Sequence, residues 1–408
     1  MNAEIIAVGS ELLTPQRVDT NSLFLTHELN AIGVELVTKC VVGDHRERLA
    51  EAVRRAASRS EIVILSGGLG PTEDDVTRDA VALALDRKLL FNPEIAAHIE
   101  QRFAQARRKM AEVNKRQAFV IEGAEILPND RGTAPGQWIE ESGCFLMLLP
   151  GPPHELEAMF TRQCVPRLQR VMPPAVIRTV TLRVTGISES ELDQLIAPVY
   201  TRYQNPATTV LAGAGDIQVH FRARGATEGE ALALLGEVAG PVELLLGDRV
   251  YSHNSEPLEV VVGDLLKRRG ATLAVAESCT GGMLGERITS VPGSSEYFAG
   301  GFITYTNRLK ADLLGVSEQI LEEHSAVSRE TAEAMAIGAR RRTAATYALS
   351  ITGVAGPGDA EVPAGTVYIG LADAAGVQVE HRRFLGDRTR VRSFATQTAL
   401  DLLRRRLA

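Results

Sequence analysis

Cysteine is scarce in this 408-residue chain, and its four copies lie far apart at Cys40, Cys144, Cys164 and Cys279. Because no CxxC pair is present, neither a zinc knuckle nor a framework of disulfides is predicted. No apolar run approaches the roughly 18 residues that a membrane-spanning helix needs. The first residues, MNAEIIAVGSELL, lack the basic and apolar regions of a signal peptide. We therefore expect a cytoplasmic protein that does not bind membranes.

Basic residues are fewer than acidic residues in this chain. The chain has 44 Lys and Arg against 51 Asp and Glu, which gives a formal net charge of −7. A broad basic face for nucleic acid or anionic lipid is therefore not expected. The 45% hydrophobic composition is ordinary for a globular protein and excludes a disordered or collagen-like chain. At roughly 100–200 residues per domain, the length predicts about two to four domains.

The first part of the chain alternates short apolar runs with amphipathic stretches. Strands are predicted over 3–9, 34–43 and 61–68, and helices over 20–32 and 46–59. This β-α-β-α-β order predicts a parallel, doubly wound sheet with helices on both faces. Ligands of such sheets bind beyond the carboxyl ends of the strands.

The pattern changes after a VMPPA linker at 171–175. Strands of alternating polarity and short helices predict a small α+β domain over 175–252. The predicted fold class is therefore α/β, with two doubly wound α/β domains, 1–170 and 256–408, joined by this small domain. Within the first domain, the polar segment 94–116 is predicted to form one long helix.

The segment SGGLGPTEDDVTRD, residues 66–79, follows a predicted strand and precedes a predicted helix. Its Gly67, Gly68 and Gly70 can expose backbone N–H groups at this turn. A nest of amides near a helix dipole suits a phosphate or pyrophosphate group.

Three carboxylates, Asp74, Asp75 and Asp79, follow these glycines. Carboxylates beside a phosphate site would repel the ligand unless a divalent cation bridged them, so Mg²⁺-like coordination is predicted. The alternative is structural: the helix dipole alone favours acids in the first turn, and Thr72 or Asp74 simply caps the helix.

Five motifs occur in a fixed order along the first domain: GSELL (9–13), DTNS (19–22), GGLGPTEDD (67–75), NDRGTAPG (129–136) and LPGPPHE (149–155). Together they resemble the N-terminal domain of the competence/damage-inducible protein A (CinA) family, which is similar to the molybdopterin-binding fold. The resemblance implies an ADP-ribose pyrophosphatase that depends on a divalent metal ion.

The resemblance also implies roles for individual residues of the first domain. Asp75 matches the family's essential Asp and, with Asp74, would hold the metal on the pyrophosphate. Glu11, Asp44 and Glu155 are candidates for further metal ligation or base work. The predicted substrate-binding residues of this domain are Gly67, Gly68, Gly70 and Thr72.

In the last domain, AVAESCTGGMLGERITS predicts another strand, turn and helix. Ser278, Cys279 and Thr280 occupy the turn, and Gly281 and Gly282 open the helix. A nucleophile in this turn would have backbone donors behind it that could form an oxyanion hole. The alternative is that the Ser or Thr hydroxyl only caps the helix.

No histidine of the last domain has the motif context of a Ser-His-Asp triad. Ser278 would therefore need Lys310 as its base, aided by Tyr305, in the segment FAGGFITYTNRLK. A desolvated lysine with a lowered pKa can act in this way. Cys279 is a rival nucleophile, which we rank second because its alternation from Ser278 points it toward the core.

The ESCTGG turn, the FxxGFITYxNxxK segment and the TGxAGP turn resemble the C-terminal domain of the CinA family. The resemblance implies a nicotinamide mononucleotide deamidase without a metal or other cofactor. The family's Ser, Tyr and Lys fall on Ser278, Tyr305 and Lys310. Its GDRxxVR pattern selects Arg388 and Arg392 for phosphate recognition, which suits the bidentate fork of arginine. The predicted substrate-binding residues are Thr280, Gly281, Gly282, Asn307, Thr352, Gly353, Gly356, Arg388 and Arg392.

The middle domain resembles the KH-like connecting domain of the same family but lacks the GxxG clamp loop of RNA-binding versions, so no nucleic-acid partner is expected. The leading prediction is a bifunctional hydrolase acting on nicotinamide mononucleotide and on ADP-ribose. In one alternative only the deamidase is active and the N-terminal domain binds a nucleotide or a pterin. In another the protein is a non-catalytic adaptor in competence or DNA damage. The resemblance also implies a homodimer.

Overall fold

The computed structural model describes residues 1–358 and 362–408. Two compact units form the chain, one from Met1–Arg178 with Arg224–Ala233 and the other from Thr179–Ala223 with Leu234–Ala408. In the described ranges, no helix is both long and apolar enough to cross a bilayer.

The strands and helices have the following bounds. The strands are β1 Asn2–Val8, β2 Glu35–Val42, β3 Ile62–Ser66, β4 Leu89–Phe91, β5 Phe119–Ile121, β6 Glu125–Leu127, β7 Gly136–Glu141, β8 Cys144–Leu149, β9 Val176–Val184, β10 Ala207–Ala212, β11 Ile217–Gly225, β12 Val250–Ser252, β13 Leu273–Glu277, β14 Phe298–Ile303, β15 Tyr347–Gly353, β16 Thr366–Ala372 and β17 Val377–Arg383. The α-helices are α1 Thr20–Ala31, α2 Arg46–Ala57, α3 Thr77–Ala84, α4 Pro93–Gln105, α5 Pro153–Met159, α6 Val165–Val171, α7 Glu189–Tyr200, α8 Glu228–Leu246, α9 Leu258–Arg269, α10 Met283–Thr289, α11 Asn307–Leu314, α12 Glu318–His324, α13 Arg329–Thr343 and α14 Arg388–Leu407. Short 3₁₀ helices span Ser10–Leu13, Glu112–Ala118, Gly247–Arg249 and Ser294–Glu296, and a π-helical turn spans Phe160–Cys164.

The first unit is built on a six-stranded sheet with the order β2-β1-β3-β8-β7-β6. Strands β2, β1, β3 and β8 run parallel, whereas β7 and β6 are antiparallel to their neighbours. Successive side chains of a strand point to opposite faces. Ile5 therefore packs with apolar residues of α1, α5 and α6, and Ile6 packs with residues of α2 and α3. The predicted doubly wound layering is confirmed, with an antiparallel edge that the pattern did not predict.

The single long helix predicted over 94–116 is wrong. Helix α4 ends near Arg107, which has a φ of 55°, and the N–H of Arg108 turns back to the carbonyl of Phe103 at 2.9 Å. A left-handed residue at this point is a common helix stop. The chain then changes direction before its 3₁₀ helix, which buries Gln117.

The small α+β domain has a four-stranded sheet with the order β10-β11-β9-β12. Alternate residues of β11 are buried, among them Val219 and Phe221. They pack against apolar residues of α7 and α8, such as Leu192 and Leu235. The predicted small α+β domain, with strands of alternating polarity, is confirmed.

The last domain has a five-stranded sheet with the order β14-β13-β15-β16-β17. Strands β14, β13 and β15 are parallel, and β16 and β17 are antiparallel. Val275 packs in a core with α9, α10 and α14, whereas Ala274 and Ala276 pack with α13. The carboxyl ends of the three parallel strands meet at one edge, where the candidate residues Ser278 and Thr352 lie.

Helices α13 and α11 approach closely at Gly338. A Cβ at this position would lie 2.1 Å from the carbonyl oxygen of Leu314, at the end of the helix that carries Lys310. We expect Gly338→Ala to force the two helices apart and to lower the free energy of unfolding by about 1–3 kcal/mol. Urea denaturation measures this change.

Gly236→Ala is the matched control, because Gly236 is also helical and an added Cβ would meet no described atom within 4 Å. There the substitution should be neutral or should stabilise by up to about 1 kcal/mol, since alanine favours helices over glycine. Equal destabilisation by both substitutions would contradict the packing argument.

Candidate functional sites

Ser278 directly follows β13 and opens the turn of residues 278–282, here termed the nucleophile turn. The side chain of Ser278 is only 8% exposed. The Nζ atom of Lys310, a residue of α11 that is 1% exposed, lies 3.2 Å from Ser278 Oγ. The fold thus joins a hydroxyl and an amine that are 32 positions apart in the sequence.

The amine of Lys310 is buried without an acidic partner in the part of the chain that the structure describes. Its second hydrogen bond goes to the backbone carbonyl of Thr304 at 2.9 Å. Burial lowers the pKa of Lys310, because removal from water destabilises the ammonium form. A neutral amine can donate to Thr304 and still accept the proton of Ser278, as a general base must.

The amino end of α10 is capped by the carboxylate of Glu277, a residue that is 1% exposed. This carboxylate accepts hydrogen bonds from the backbone N–H groups of Gly282, Leu284 and Gly285 at 3.0, 3.1 and 2.8 Å. The alternative in which a Ser or Thr hydroxyl caps this helix is therefore wrong. The hydroxyl of Ser278 stays available for chemistry.

The nucleophile turn leaves two of its backbone amides unused. The N–H of Gly281 donates to the carbonyl of Ser278 at 3.1 Å, and the N–H of Met283 donates to that of Thr280 at 3.2 Å. Within the described ranges, the amides of Cys279 and Thr280 donate to no acceptor of another residue. They are candidate donors to an oxyanion.

Cys279 is buried in the hydrophobic core of the domain, as its alternation from Ser278 predicted. Burial raises the pKa of the Cys279 thiol to about 11. Because the thiolate is the reactive form, a protonated and buried thiol is a poor nucleophile at neutral pH. The geometry therefore favours Ser278.

Tyr305 is 56% exposed, and its hydroxyl accepts a hydrogen bond from Nη2 of Arg388 at 2.8 Å. The structure therefore pairs Tyr305 with the predicted phosphate-binding arginine, and the aid of Tyr305 to the base Lys310 stays a prediction. A Cβ at Gly356 would lie 3.4 Å from Nη1 of the same arginine. Arg392 donates from Nε to the carbonyl of Thr280 at 3.2 Å. Both arginines thus lie beside the nucleophile turn or its flanking loops.

The remaining predicted binding residues of this domain have local structural contacts. The hydroxyl of Thr352 donates to the carbonyl of Ala326 at 2.6 Å. Gly353 lies so close to Thr366 that a Cβ would be 2.6 Å from that residue's carbonyl oxygen. Asn307 is exposed in the first turn of α11. Their contact with a substrate stays a prediction.

The first unit has a cavity of about 510 Å³ beyond the carboxyl ends of β1 and β3. Two predicted groups meet at its wall, the glycines of the 66–79 loop and several acidic residues. The predicted site residues that line the cavity are Gly67, Gly68, Gly70, Asp75, Glu11 and Glu155. The predicted residues that are not among its lining are Thr72, Asp74 and Asp44.

Asp75 braces the glycine-rich loop from within. Its carboxylate accepts the backbone N–H groups of Gly70 and Thr72, each at 2.8 Å, and the Thr72 hydroxyl at 2.5 Å. The alternative role of Thr72 or Asp74 as a helix cap is wrong, since α3 begins without a side-chain cap. Asp75 shapes the turn whose amides were predicted to meet a phosphate.

The five predicted metal ligands do not form one set. Asp44 accepts the backbone N–H of Ser10 at 2.8 Å, and Glu155 accepts the side-chain amide of Asn129 at 2.7 Å. Over residues 1–358 and 362–408, no group of three or more His, Cys, Asp or Glu side chains could hold a metal ion. The residues therefore do not fit a metal centre that the protein holds alone.

Two side-chain amides that line the cavity, those of Asn21 and Gln117, were not predicted as site residues from the sequence. Asn21 donates from Nδ2 to the carbonyl of Gly151 at 2.8 Å, which fixes the orientation of its amide. Its Oδ1 and the Oε1 of Gln117 are buried and have no described partner. Both can accept from a ligand O–H or N–H group. The DTNS motif contains Asn21, but nothing local marks Gln117, because its burial depends on the break after α4.

Three family models match the chain in order: a probable molybdopterin binding domain over 4–170, a damage-inducible protein CinA KH domain over 179–252, and a CinA C-terminal domain over 255–407. A CinA-like protein from Solibacter usitatus is 72% identical over 409 residues, covering 100% of this chain and 98% of that protein. The chain belongs to the CinA family.

Other CinA relatives also match along their whole length. A CinA-like protein from Koribacter versatilis is 50% identical and is covered completely, as is this chain. Among solved structures, a competence/damage inducible protein from Agrobacterium tumefaciens is 39% identical over 36% of this chain and 91% of that chain, with a TM-score of 0.35. The three family models and the relatives that match over the whole chain confirm the family resemblance and the fold class, two α/β domains with a KH-like domain between them. The names of these relatives state no substrate.

The brace formed by Asp75 in this CinA-family chain can be tested by hydrogen exchange. Asp75→Ala removes the acceptor of the Gly70 and Thr72 amides, and each lost hydrogen bond is worth about 0.5–1.5 kcal/mol. We expect exchange at these two amides to accelerate by roughly 2- to 10-fold for the same reason.

Asp74→Ala is the control, because the Asp74 carboxylate accepts neither amide. Unchanged exchange at Gly70 in the Asp75 variant, or the same acceleration in both variants, would show that Asp75 does not hold the loop.

Proposed function

We propose that the C-terminal domain is a serine amidohydrolase that converts nicotinamide mononucleotide to nicotinic acid mononucleotide and ammonia, without a metal ion. The observation that carries this proposal is the 3.2 Å contact between Lys310 Nζ and Ser278 Oγ in a buried site. The choice of substrate rests on the resemblance to the CinA family.

In the first half of the reaction, Ser278 Oγ attacks the carboxamide carbon while its proton moves to Nζ of Lys310. The unused amides of the nucleophile turn donate to the oxygen that gains negative charge. The C–N bond then breaks as Lys310 returns the proton to the departing nitrogen. Ammonia leaves, and the nicotinoyl group stays on Ser278 as an ester.

In the second half, water attacks the ester carbon and gives a proton to Lys310. The ester C–O bond breaks, Lys310 returns the proton to Ser278, and the product leaves as a carboxylate after its acid proton passes to solvent. Arg388 and Arg392, near the same turn, are suited to the anionic phosphate of the nucleotide.

Ser278→Ala should lower ammonia release from nicotinamide mononucleotide by at least about 10³-fold, because the nucleophile is lost. Cys279→Ala is the matched control from the same turn and should stay close to the parent protein. Ammonia release and product chromatography measure both. Survival of activity in the Ser278 variant, or its loss in the Cys279 variant, would reverse the assignment of the nucleophile.

The pH dependence follows from the lowered pKa of Lys310. Below that pKa the amine is protonated and cannot accept the serine proton, so kcat/KM should rise with pH and level off before the ordinary lysine value of 10.5. Lys310→Arg stays protonated and should lack the rising limb. A profile that rises only near 10.5 would contradict a neutral lysine base.

We also propose that the N-terminal cavity binds ADP-ribose and hydrolyses it to AMP and ribose 5-phosphate. The support is the braced glycine loop and a cavity of about 510 Å³, within the usual range of small-molecule sites. Mg²⁺ is often bound by one or two carboxylates together with substrate phosphates. We therefore propose that a divalent cation arrives with the pyrophosphate, beside Glu11, whose carboxylate receives no described hydrogen bond.

Incubation of the full chain with ADP-ribose and Mg²⁺ should yield AMP, and a chelator should stop it. Asp75→Ala should reduce AMP formation by at least about 10-fold, because misplaced binding groups are costly to catalysis. Ser278→Ala, in the other domain, should not affect it. AMP formation that is unchanged in the Asp75 variant would contradict the site.

ADP-ribose that raises the melting temperature without yielding AMP would favour a nucleotide-binding module with only the deamidase active. Absence of both reactions would favour the non-catalytic adaptor.

A further inference from the structure

We infer that Glu277 is a positioning residue for the nucleophile turn. Its carboxylate replaces the hydroxyl that would otherwise cap α10, and so keeps Ser278 Oγ with the amine of Lys310. The inference rests on the proposed role of Ser278, but the labelling measurement in its test does not require the proposed substrate.

The backbone of Glu277 is held on both sides by neighbouring strands. It pairs with Ile303 of β14 and Ile351 of β15, and its carbonyl accepts the N–H of Thr304 at 2.7 Å. The side chain can therefore link the end of β13 to the first turn of α10 in a fixed geometry. The first turn of α10 lies directly against this carboxylate, since the N–H of Gly285 donates to Glu277 Oε1 at 2.8 Å.

Burial of this carboxylate is costly for the fold. No Lys, Arg or His of the described ranges forms an ion pair with Glu277, and three backbone N–H groups are its partners. A buried charge without a counter-ion needs such hydrogen bonds to be tolerated at all. A neutral Ser or Thr cap would avoid the cost, and Ser278 and Thr280 both lie just before the helix.

The same domain caps other helices with side chains of both kinds, and the carboxylate of Asp387 caps α14. Helices α11, α12 and α13 are capped by the side chains of Thr306, Ser317 and Ser328. At α10 the two available hydroxyls are left out of the cap. Thr280 Oγ1 is buried and has no described partner, and Ser278 Oγ meets Lys310. The hydroxyl that this arrangement leaves beside Lys310 is the one to which the proposed reaction assigns the role of nucleophile.

Removal of the carboxylate would leave three N–H groups without an acceptor. The nearest replacement acceptors in the sequence are the hydroxyls of Ser278 and Thr280, because Ser and Thr are favoured caps. Capping by Ser278 would take its hydroxyl away from Lys310. We therefore expect Glu277 variants to lose reactivity of the serine, beyond any loss of stability.

The test measures labelling of Ser278 in the full chain by diisopropyl fluorophosphate, followed by peptide mass spectrometry, together with kcat and KM for nicotinamide mononucleotide. Glu277→Ala should lower the labelling rate and kcat by about 10²-fold, as a misplacement near 1 Å does, with a smaller change in KM. Glu277→Gln retains one acceptor oxygen and should recover part of the rate. Glu277→Asp is one methylene too short and should resemble alanine.

Ser328→Ala is the matched control, because it removes the cap of α13 in the same domain. It should lower the melting temperature but leave the labelling rate unchanged. If circular dichroism shows that Glu277→Ala is unfolded, Glu277→Gln is compared with the parent protein instead.

Labelling and kcat at the parent level in a folded Glu277→Ala or Glu277→Gln variant would overturn the inference, as would a change confined to KM. If labelling falls in the Glu277 variants while the parent protein does not deamidate nicotinamide mononucleotide, the positioning role stands and the proposed reaction fails. Loss of labelling in Ser328→Ala as well would reduce Glu277 to a general stabilising residue and also overturn it.

Discussion

The chemistry proposed for the C-terminal domain depends on a buried lysine amine that meets a serine hydroxyl. Lys310 and Ser278 come from different elements, and their 3.2 Å contact exists because parallel strands end at one edge of the sheet. Burial without an acidic partner is what lowers the pKa of the amine. Helices pack on both faces of the sheet and bury the pair, and the proposed role of Lys310 as a base depends on this burial.

Both α/β domains stabilise a glycine-rich turn with a carboxylate that accepts backbone amides. Asp75 does so for the loop after β3, and Glu277 for the turn after β13. In each case the carboxylate fixes the backbone of the turn and leaves the other polar groups of the turn available to bind a ligand. The shared device explains why acidic residues lie in two sites whose proposed substrates are anions.

Much of the architecture could be predicted from the sequence, because apolar runs and their flanking glycines are local signals. The strands that end at Ser66 and Glu277 were expected, as was the burial of Cys279. The prediction of one long helix over 94–116 was wrong because nothing in the local sequence indicates that Arg107 adopts a left-handed backbone conformation. The predicted metal ligands do not form one cluster in the described ranges, because Asp75 and Asp44 accept backbone amides and because Asp44 and Asp74 are not among the residues that line the cavity.

By itself, the sequence determined the order of the three domains, the family, and the residue types in each turn, since these depend on local periodicity and motif order. Only the tertiary structure decided what those residues do. Whether an acid binds a cation or a backbone amide, and whether a serine caps a helix or meets a lysine, depends on which groups lie within about 3 Å. Such distances arise from long-range packing between strands and helices, which no local pattern specifies.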